Sequence, residues 1–203
     1  RLLVTSRAYR QSSITSPEMQ ERDPHNQIVD RQSRFRLPAE IIRDSALTIS
    51  GLLVREVGGR SARPYQPAGY FRHLNFPKRS YSHDTSKAQW RRGVYVHWQR
   101  MFLHPMMKAM DAPSREECTA ERPRSNTPSA ALTLLNDPTF IEAARAFASR
   151  ILAEGGGTNH ARLEFSFRQA LGRSPDPTEQ ELLVELHDRS KEAFQADPHA
   201  ARD

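Results

Sequence analysis

The sequence predicts a mainly α-helical protein: an irregular, aromatic-pinned loop region followed by a C-terminal helical bundle. Three observations carry this. Apolar residues recur at helical spacing in several separate segments. Proline and acidic caps stand at the segment starts, with glycine at their ends. Between them lies a stretch too rich in Gly and Pro for any regular element.

The elements follow in order. Leu2 to Ser12 reads as the end of a helix, with Leu2, Leu3 and Tyr9 on its buried side, and Ser12 to Pro24 as polar loop. Pro38 to Leu53 is predicted as a clear helix on the spacing of Ile41, Ile42, Leu47, Ile49, Leu52 and Leu53. Pro38 would sit in its first turn and Gly51 would weaken its last. From Gly58 to Ala88, Gly58, Gly59, Pro64, Pro67, Gly69 and Pro77 break regular structure, while Tyr65, Tyr70, Phe71, Phe76 and Tyr81 supply anchors. A pinned long loop or a short hairpin would satisfy this pattern, and the aromatics argue against disorder. Val94, Tyr95, Trp98, Met101 and Phe102 favour a helix over Trp90–Leu103, ended by Pro105.

Four further helices are expected. Thr127–Leu135 carries Pro128 in its first turn. The next has Asp137 as N-cap and Pro138 at N1, runs through Phe140, Ile141, Ala144, Phe147, Ala148 and Ile151, and stops at Gly155-Gly-Gly157. His160–Leu171 buries Leu163, Phe167, Ala170 and Leu171. Asp176-Pro-Thr-Glu179 forms a capping box for the last helix, striped by Leu182, Leu183, Leu186 and Phe194. The chain thus divides into an N-terminal helical part (1–57), a loop region with one helix (58–126) and a C-terminal bundle (127–203).

Composition narrows the function classes. With 203 residues, 37% hydrophobic and 27% charged, the chain can build a lean core under a solvated surface. No apolar run is long enough to cross a membrane. The chain starts at Arg1 with neither Met nor an apolar signal segment, so it reads as a piece of a larger protein. Its one cysteine, Cys118, cannot form an internal disulfide or a multi-thiolate zinc site. A half-buried thiol is the plain expectation; a bond outside the chain or a reactive thiol is the alternative. The net charge of +6 suits a polyanion, but the arginines are scattered among acids. That distribution favours carboxylate pairs and carbonyl contacts over an anion-binding face.

Candidate chemistry is sparse. His73, His83 and Asp84, with His97 and His104 further on, lack the spacing of a metal-binding helix, and no metal site is expected. Ser50-Gly51 is a helix end, with no nucleophile elbow. Gly155-Gly-Gly157 follows a helix and cradles no phosphate. Glu40 with Asp44, and Asp111 with Glu116, could form paired carboxylates. The plainer reading pairs them with Arg34, Arg36, Arg115 and Arg122 in a structural network that also takes in Asn126, Asn136 and Asp137. Tyr65, Tyr70, Trp90, Arg91 and Arg92, with Phe71 and Trp98 nearby, could bind sugars or single-stranded nucleic acid by stacking and charge, or else anchor the core. No module signature for specific nucleic-acid binding is present.

Several phrases occur in an order that resembles a known family. They begin with Leu2-Leu-Val-Thr-Ser-Arg-Ala-Tyr-Arg-Gln-Ser-Ser13, Asp23-Pro-His-Asn26, Arg34-Phe-Arg-Leu37, Ala39-Glu-Ile-Ile-Arg-Asp44 and Ser50-Gly-Leu52. Next come Gly58-Gly59, Pro64-Tyr-Gln-Pro67, Arg91-Arg-Gly-Val-Tyr95 and Trp98. Asp111-Ala-Pro-Ser-Arg-Glu116, Asn126-Thr-Pro128, Leu134-Leu-Asn-Asp-Pro138 and Ala170-Leu-Gly-Arg-Ser-Pro175 with Glu179 complete the set. Together they are similar to the planctomycete domain of unknown function 1553, over nearly the whole chain. Pro123-Arg-Ser125 and Ser129-Ala130 depart from its pattern and bear on local packing.

The resemblance implies a C-terminal module of large exported proteins that carry an upstream c-type cytochrome-like segment and a sister domain, sometimes with a carbohydrate-binding-like domain. It implies an extracytoplasmic setting, partners among the other domains of the parent chain, and polysaccharide as a further partner. This chain has no Cys-x-x-Cys-His, so it holds no c-type haem attachment and no cofactor is expected in it; any haem would lie upstream. The expected function is a structural or interaction module, with no recognisable catalytic motif. The alternatives are ligand binding or an enzyme-associated role in degrading complex, perhaps sulfated, polysaccharide, and non-specific polyanion binding.

Overall fold

A computed structural model describes residues 1–71, 80–99 and 102–197. The predicted roles of His73, Phe76, Pro77 and Met101 fall outside the described residues. The described chain is mainly α-helical, with eight α-helices and isolated β-bridges in place of strands. It divides into two units, residues 1–37 and 38–203. The sequence divisions at 57/58 and 126/127 both fall inside the second.

The first unit is mostly irregular. α1 spans only Leu2–Thr5 and α2 spans Pro17–Arg22, within the segment expected to be loop. Leu2, Leu3 and Tyr9 are exposed rather than buried, because a single turn offers no face long enough to pack. Ser16 caps α2 by accepting from Met19 N–H. Beyond it, the Asp23 carboxylate accepts from the N–H groups of Gln27 and Ile28, each at 2.9 Å. Those bonds, Ile28's first, hold Asp23 below the usual carboxylate range. Arg31 Nη2 donates to Asp23 O at 2.6 Å, and Asn26 Nδ2 donates to Arg31 O at 2.8 Å. The loop is thus closed by its own polar side chains, which lets Asn26 and Val29 hold φ of 52° and 53°.

The second unit is built on α3 (Ala39–Ser50) packed against α6 (Pro138–Glu154). The buried face of α3 is Ala39, Arg43, Leu47 and Ser50, one residue per turn. Ile41, expected inward, is exposed; Ile42 and Ala46 flank the buried line. Gly51 does not sit in the last turn but ends the helix in the left-handed region at φ 83°, where glycine has no Cβ penalty. The core joins Ala39, Val96, Leu103, Met106, Met107, Met110 and Phe140. Its three methionines come from α4 (Pro105–Ala109) and the residue after it; their unbranched chains fill the irregular space between helix and loop.

The helix expected over Trp90–Leu103 is not found among the described residues of that span. Instead, 3-10 turns at Lys87–Trp90 and Gly93–Tyr95 lead into extended backbone bridged as Val54 to Arg91 and Ala62 to Val96. Tyr95 O accepts from Ala62 N–H, and His97 N–H donates to Ala62 O, both at 2.7 Å. Val94 and Val96 favour extended backbone. The carbonyls of Gln89 and Arg91 are taken by a side chain, which leaves no helical ladder to start from.

α5 (Pro128–Asn136), α6, α7 (Asn159–Leu171) and α8 (Pro177–Ala196) follow the predicted capping closely. Thr127, Asp137, Thr158 and Asp176 each cap a helix, and Asp176 with Glu179 completes the capping box. Their burial differs from expectation. On α6 the buried line is Thr139, Phe140 and Ala143, while Ile141, Ala144 and Ala148 are exposed. α7 packs along α6 and α8 along α7, and neither has a fully buried residue. Ala170 and Leu171 are exposed at the end of α7. The four helices of the C-terminal bundle follow one another as a file, α5 on α6, α6 on α7 and α7 on α8, with α6 seated against α3.

Candidate functional site

The chemistry of the second unit starts at Arg43. Its side chain is 0% exposed in the middle of the α3 face, and it donates from Nη1 to Arg91 O at 2.6 Å and from Nη2 to Gln89 O. Burial pulls this guanidinium down to about 10, with Asp44 opposing, so it stays charged at neutral pH. Asp44 lies 3.7 Å from Arg43 Nη1 and accepts from Gly93 N–H at 2.6 Å. Burial pushes the Asp44 carboxyl up, and the Gly93 bond works against that push.

Arg91 repeats the device one layer out. Buried itself, it donates to the carbonyls of Arg60, Gly58 and Glu56, and its guanidinium lies 4.3 Å from the centre of the Tyr95 ring. Tyr95 Oη accepts in turn from Gly58 N–H at 2.9 Å. Two arginines thus hold the 54–62 and 87–96 segments to α3 by main-chain carbonyls. A planar guanidinium suits this because its forked donors reach two acceptors at once. Gly93 makes the close approach possible: a Cβ there would lie 2.8 Å from Glu40 Cα and 2.9 Å from Glu40 O.

The remaining expected network residues are distributed. Glu40 pairs with Arg122 at 2.8 Å. Asp111, held at φ 61°, accepts from Ser125 N–H at 2.7 Å and from Ser125 Oγ at 2.8 Å, closing the 111–125 loop. Asp137 caps α6 by accepting from Thr139 N–H at 2.9 Å. Arg115 is exposed, its guanidinium 3.7 Å from the centre of the Trp98 ring. Glu116 and Asn126 are exposed in the same loop, Asn136 is exposed at the end of α5, and Arg34 is exposed in the first unit with Arg36 half-buried there. Cys118 is exposed, not half-buried.

Among the cavities formed by the described residues, none is lined by all of Tyr65, Tyr70, Trp90, Arg91 and Arg92. Tyr70 donates to Leu103 O at 2.9 Å and packs edge-on against Phe102; with Phe71 and Tyr81 it forms the aromatic pin of the loop. Trp90 Nε1 donates to Glu142 Oε2 at 2.8 Å, tying the 3-10 turn to α6. Arg92 is exposed at the surface. Tyr65 lines a cleft of about 460 Å³, together with His83, Asp84, Gln89, Glu142 and Arg145; Arg91 and Tyr70 line separate depressions. Tyr65 is 39% exposed between buried Pro64 and Gln66, and its carbonyl accepts from Nε2 of buried His104 at 2.8 Å. Burial lowers the His104 pKa below the ordinary imidazole value. Glu142 and Arg145, one turn apart on α6, were not singled out by the sequence reading; nothing in their local pattern separates them from solvated helix residues. Among the described residues no group of His, Cys, Asp and Glu could hold a metal ion, and no helix is long and apolar enough to cross a membrane.

These features define an α-helical domain whose irregular middle is fastened by arginine–carbonyl clamps. The chain matches, over residues 1–187, the family described as PSD1, protein of unknown function (DUF1553), and it belongs to that family. No curated protein and no solved structure matches it.

Proposed function

We propose that this chain is a non-catalytic interaction module of a larger exported protein, and that α8 docks against a neighbouring domain of the same parent chain. The observation that carries the reading is the surface of α8. Leu182, Leu186 and Phe194 are 61, 60 and 54% exposed on a 20-residue helix that has no fully buried residue. Leu182 and Leu186 lie one turn apart, so they form a stripe, while neighbouring Leu183 turns half-buried toward the file of helices. Solitary exposed apolar residues are ordinary; a stripe on a well-capped helix is what an intramolecular partner would cover. The clamps suit the same role, since they spend Arg43 and Arg91 on carbonyls and make a rigid platform. An extracytoplasmic location, and a haem in an upstream segment, accompany this reading through the family resemblance.

The test mixes this chain with the separately produced remainder of its parent protein. Leu182→Asp with Leu186→Asp should abolish association while leaving the isolated chain's melting temperature unchanged. Association that survives both substitutions would refute docking through α8.

A further inference from the structure

The cleft at Tyr65 does not end there. On the other side of Tyr65 and Pro138 a second depression, of about 500 Å³, runs between α4 and α5 past Met106, Ser129, Thr133 and Asn136. Tyr65 and Pro138 line both, so the two depressions adjoin at Tyr65 and together make a two-part trough with that partly exposed residue between the parts. We propose that this trough binds a neutral oligosaccharide.

The lining chemistry points to a chain of hydroxyls. Carboxylates, two carboxamides and small hydroxyls line it: Asp84, Glu142 and Gln89 in one part, Ser129, Thr133 and Asn136 in the other. Such groups accept from and donate to vicinal hydroxyls, which present both functions side by side. The carboxylates are held in place. Glu142 is fixed through Oε2 by Trp90, Asp84 through Oδ2 by Arg63 N–H at 2.7 Å, and Asp137 through Oδ1 by Thr139 N–H. One oxygen of each is engaged in the scaffold, so its position requires no ordering when ligand arrives. Tyr65 offers a flat face on which the C–H face of a sugar ring can stack, and buried His104 holds the backbone beneath it.

Two other polymers fit less well. Asp84, Glu142 and Asp137 face one arginine, Arg145, and remain in the majority even with His83 protonated. That balance opposes a sulfated or phosphorylated chain. An extended peptide would seek a free strand edge, and the described residues contain isolated bridges only.

The experiment titrates the full chain with cellohexaose, xylohexaose, mannohexaose and maltohexaose by calorimetry and screens it on an array of neutral and sulfated glycans. At least one neutral glycan should bind with a Kd below about 1 mM, with affinity unchanged between about 50 and 500 mM salt. Tyr65→Ala should weaken that binding about tenfold or more. Tyr65→Phe should retain it, and Glu142→Gln, which keeps an acceptor for Trp90, should weaken it about threefold. All three should melt with the wild type. The proposal fails if no neutral glycan binds, if only sulfated glycans bind and salt removes them, if a proline-rich peptide displaces the glycan at equal affinity, or if Tyr65→Ala binds as the wild type does.

Discussion

The positively charged residue that matters most for stability is one whose charge faces no solvent. Arg43 →Met would leave the carbonyls of Gln89 and Arg91 buried without donors. Each orphaned carbonyl costs about 1–3 kcal/mol, so the expected loss is about 3–5 kcal/mol, measured by urea denaturation. Arg43→Lys should recover only part of it, because an ammonium on one stem cannot reproduce the fork. Arg115 gives the contrast. Its stack on Trp98 is exposed, so Arg115→Ala should cost at most about 1 kcal/mol in the same assay. The sequence reading places Arg115 in the structural network and leaves Arg43 out of it. Arg43 stands in an apolar stripe at the spacing of Ala39 and Leu47, and only the carbonyls brought from residues 89 and 91 explain why a charge is tolerated there. His104 adds a pH dependence with a definite sign. Burial holds its folded pKa below the ordinary 6.5, so the unfolded chain takes a proton that the folded chain refuses. The contribution is therefore fully present above 6.5 and is lost as pH falls from 6.5 through the depressed value. Melting temperatures between pH 7.5 and 5 should fall for the wild type and fall less steeply for His104→Leu.

At the scale of elements, helix boundaries were legible and helix faces were not. Asp137-Pro138 and Asp176-Pro-Thr-Glu179 announce α6 and α8 because capping is local: donor and acceptor lie within three residues. Asp137→Ala should cost on the order of 1 kcal/mol, read as a shift in denaturation midpoint without a change in slope. The segment from Trp90 to Leu103 failed for the opposite reason. Its apolar spacing satisfies a helix, yet its carbonyls are captured by Arg43, and Gly93 lies directly on Glu40. Those partners are 48 and 53 positions away and invisible to any local window. Gly93→Ala places a methyl within contact-forbidden distance of the α3 backbone and should destabilise by about 1–3 kcal/mol.

For the whole molecule, a mainly α fold and membership of the family follow from the order of motifs, while the sites do not. Tyr65 was legible as an aromatic in a Pro-rich loop; Glu142 and Arg145 join it only because Trp90 ties the loop to α6. The second unit packs α3 against α6, and it leaves Leu182, Leu186 and Phe194 of α8 uncovered, as it does Leu132 and Leu135 of α5. The proposed docking of α8 against another domain of the parent protein would cover Leu182 and Leu186. Hydrogen exchange of residues 177–196, measured in this chain alone and again within the whole parent protein, tests it most directly. The account predicts that amides around Leu182 and Leu186 become markedly slower to exchange in the parent protein, while those of α3 stay as they are. Equal exchange of α8 in both would contradict it.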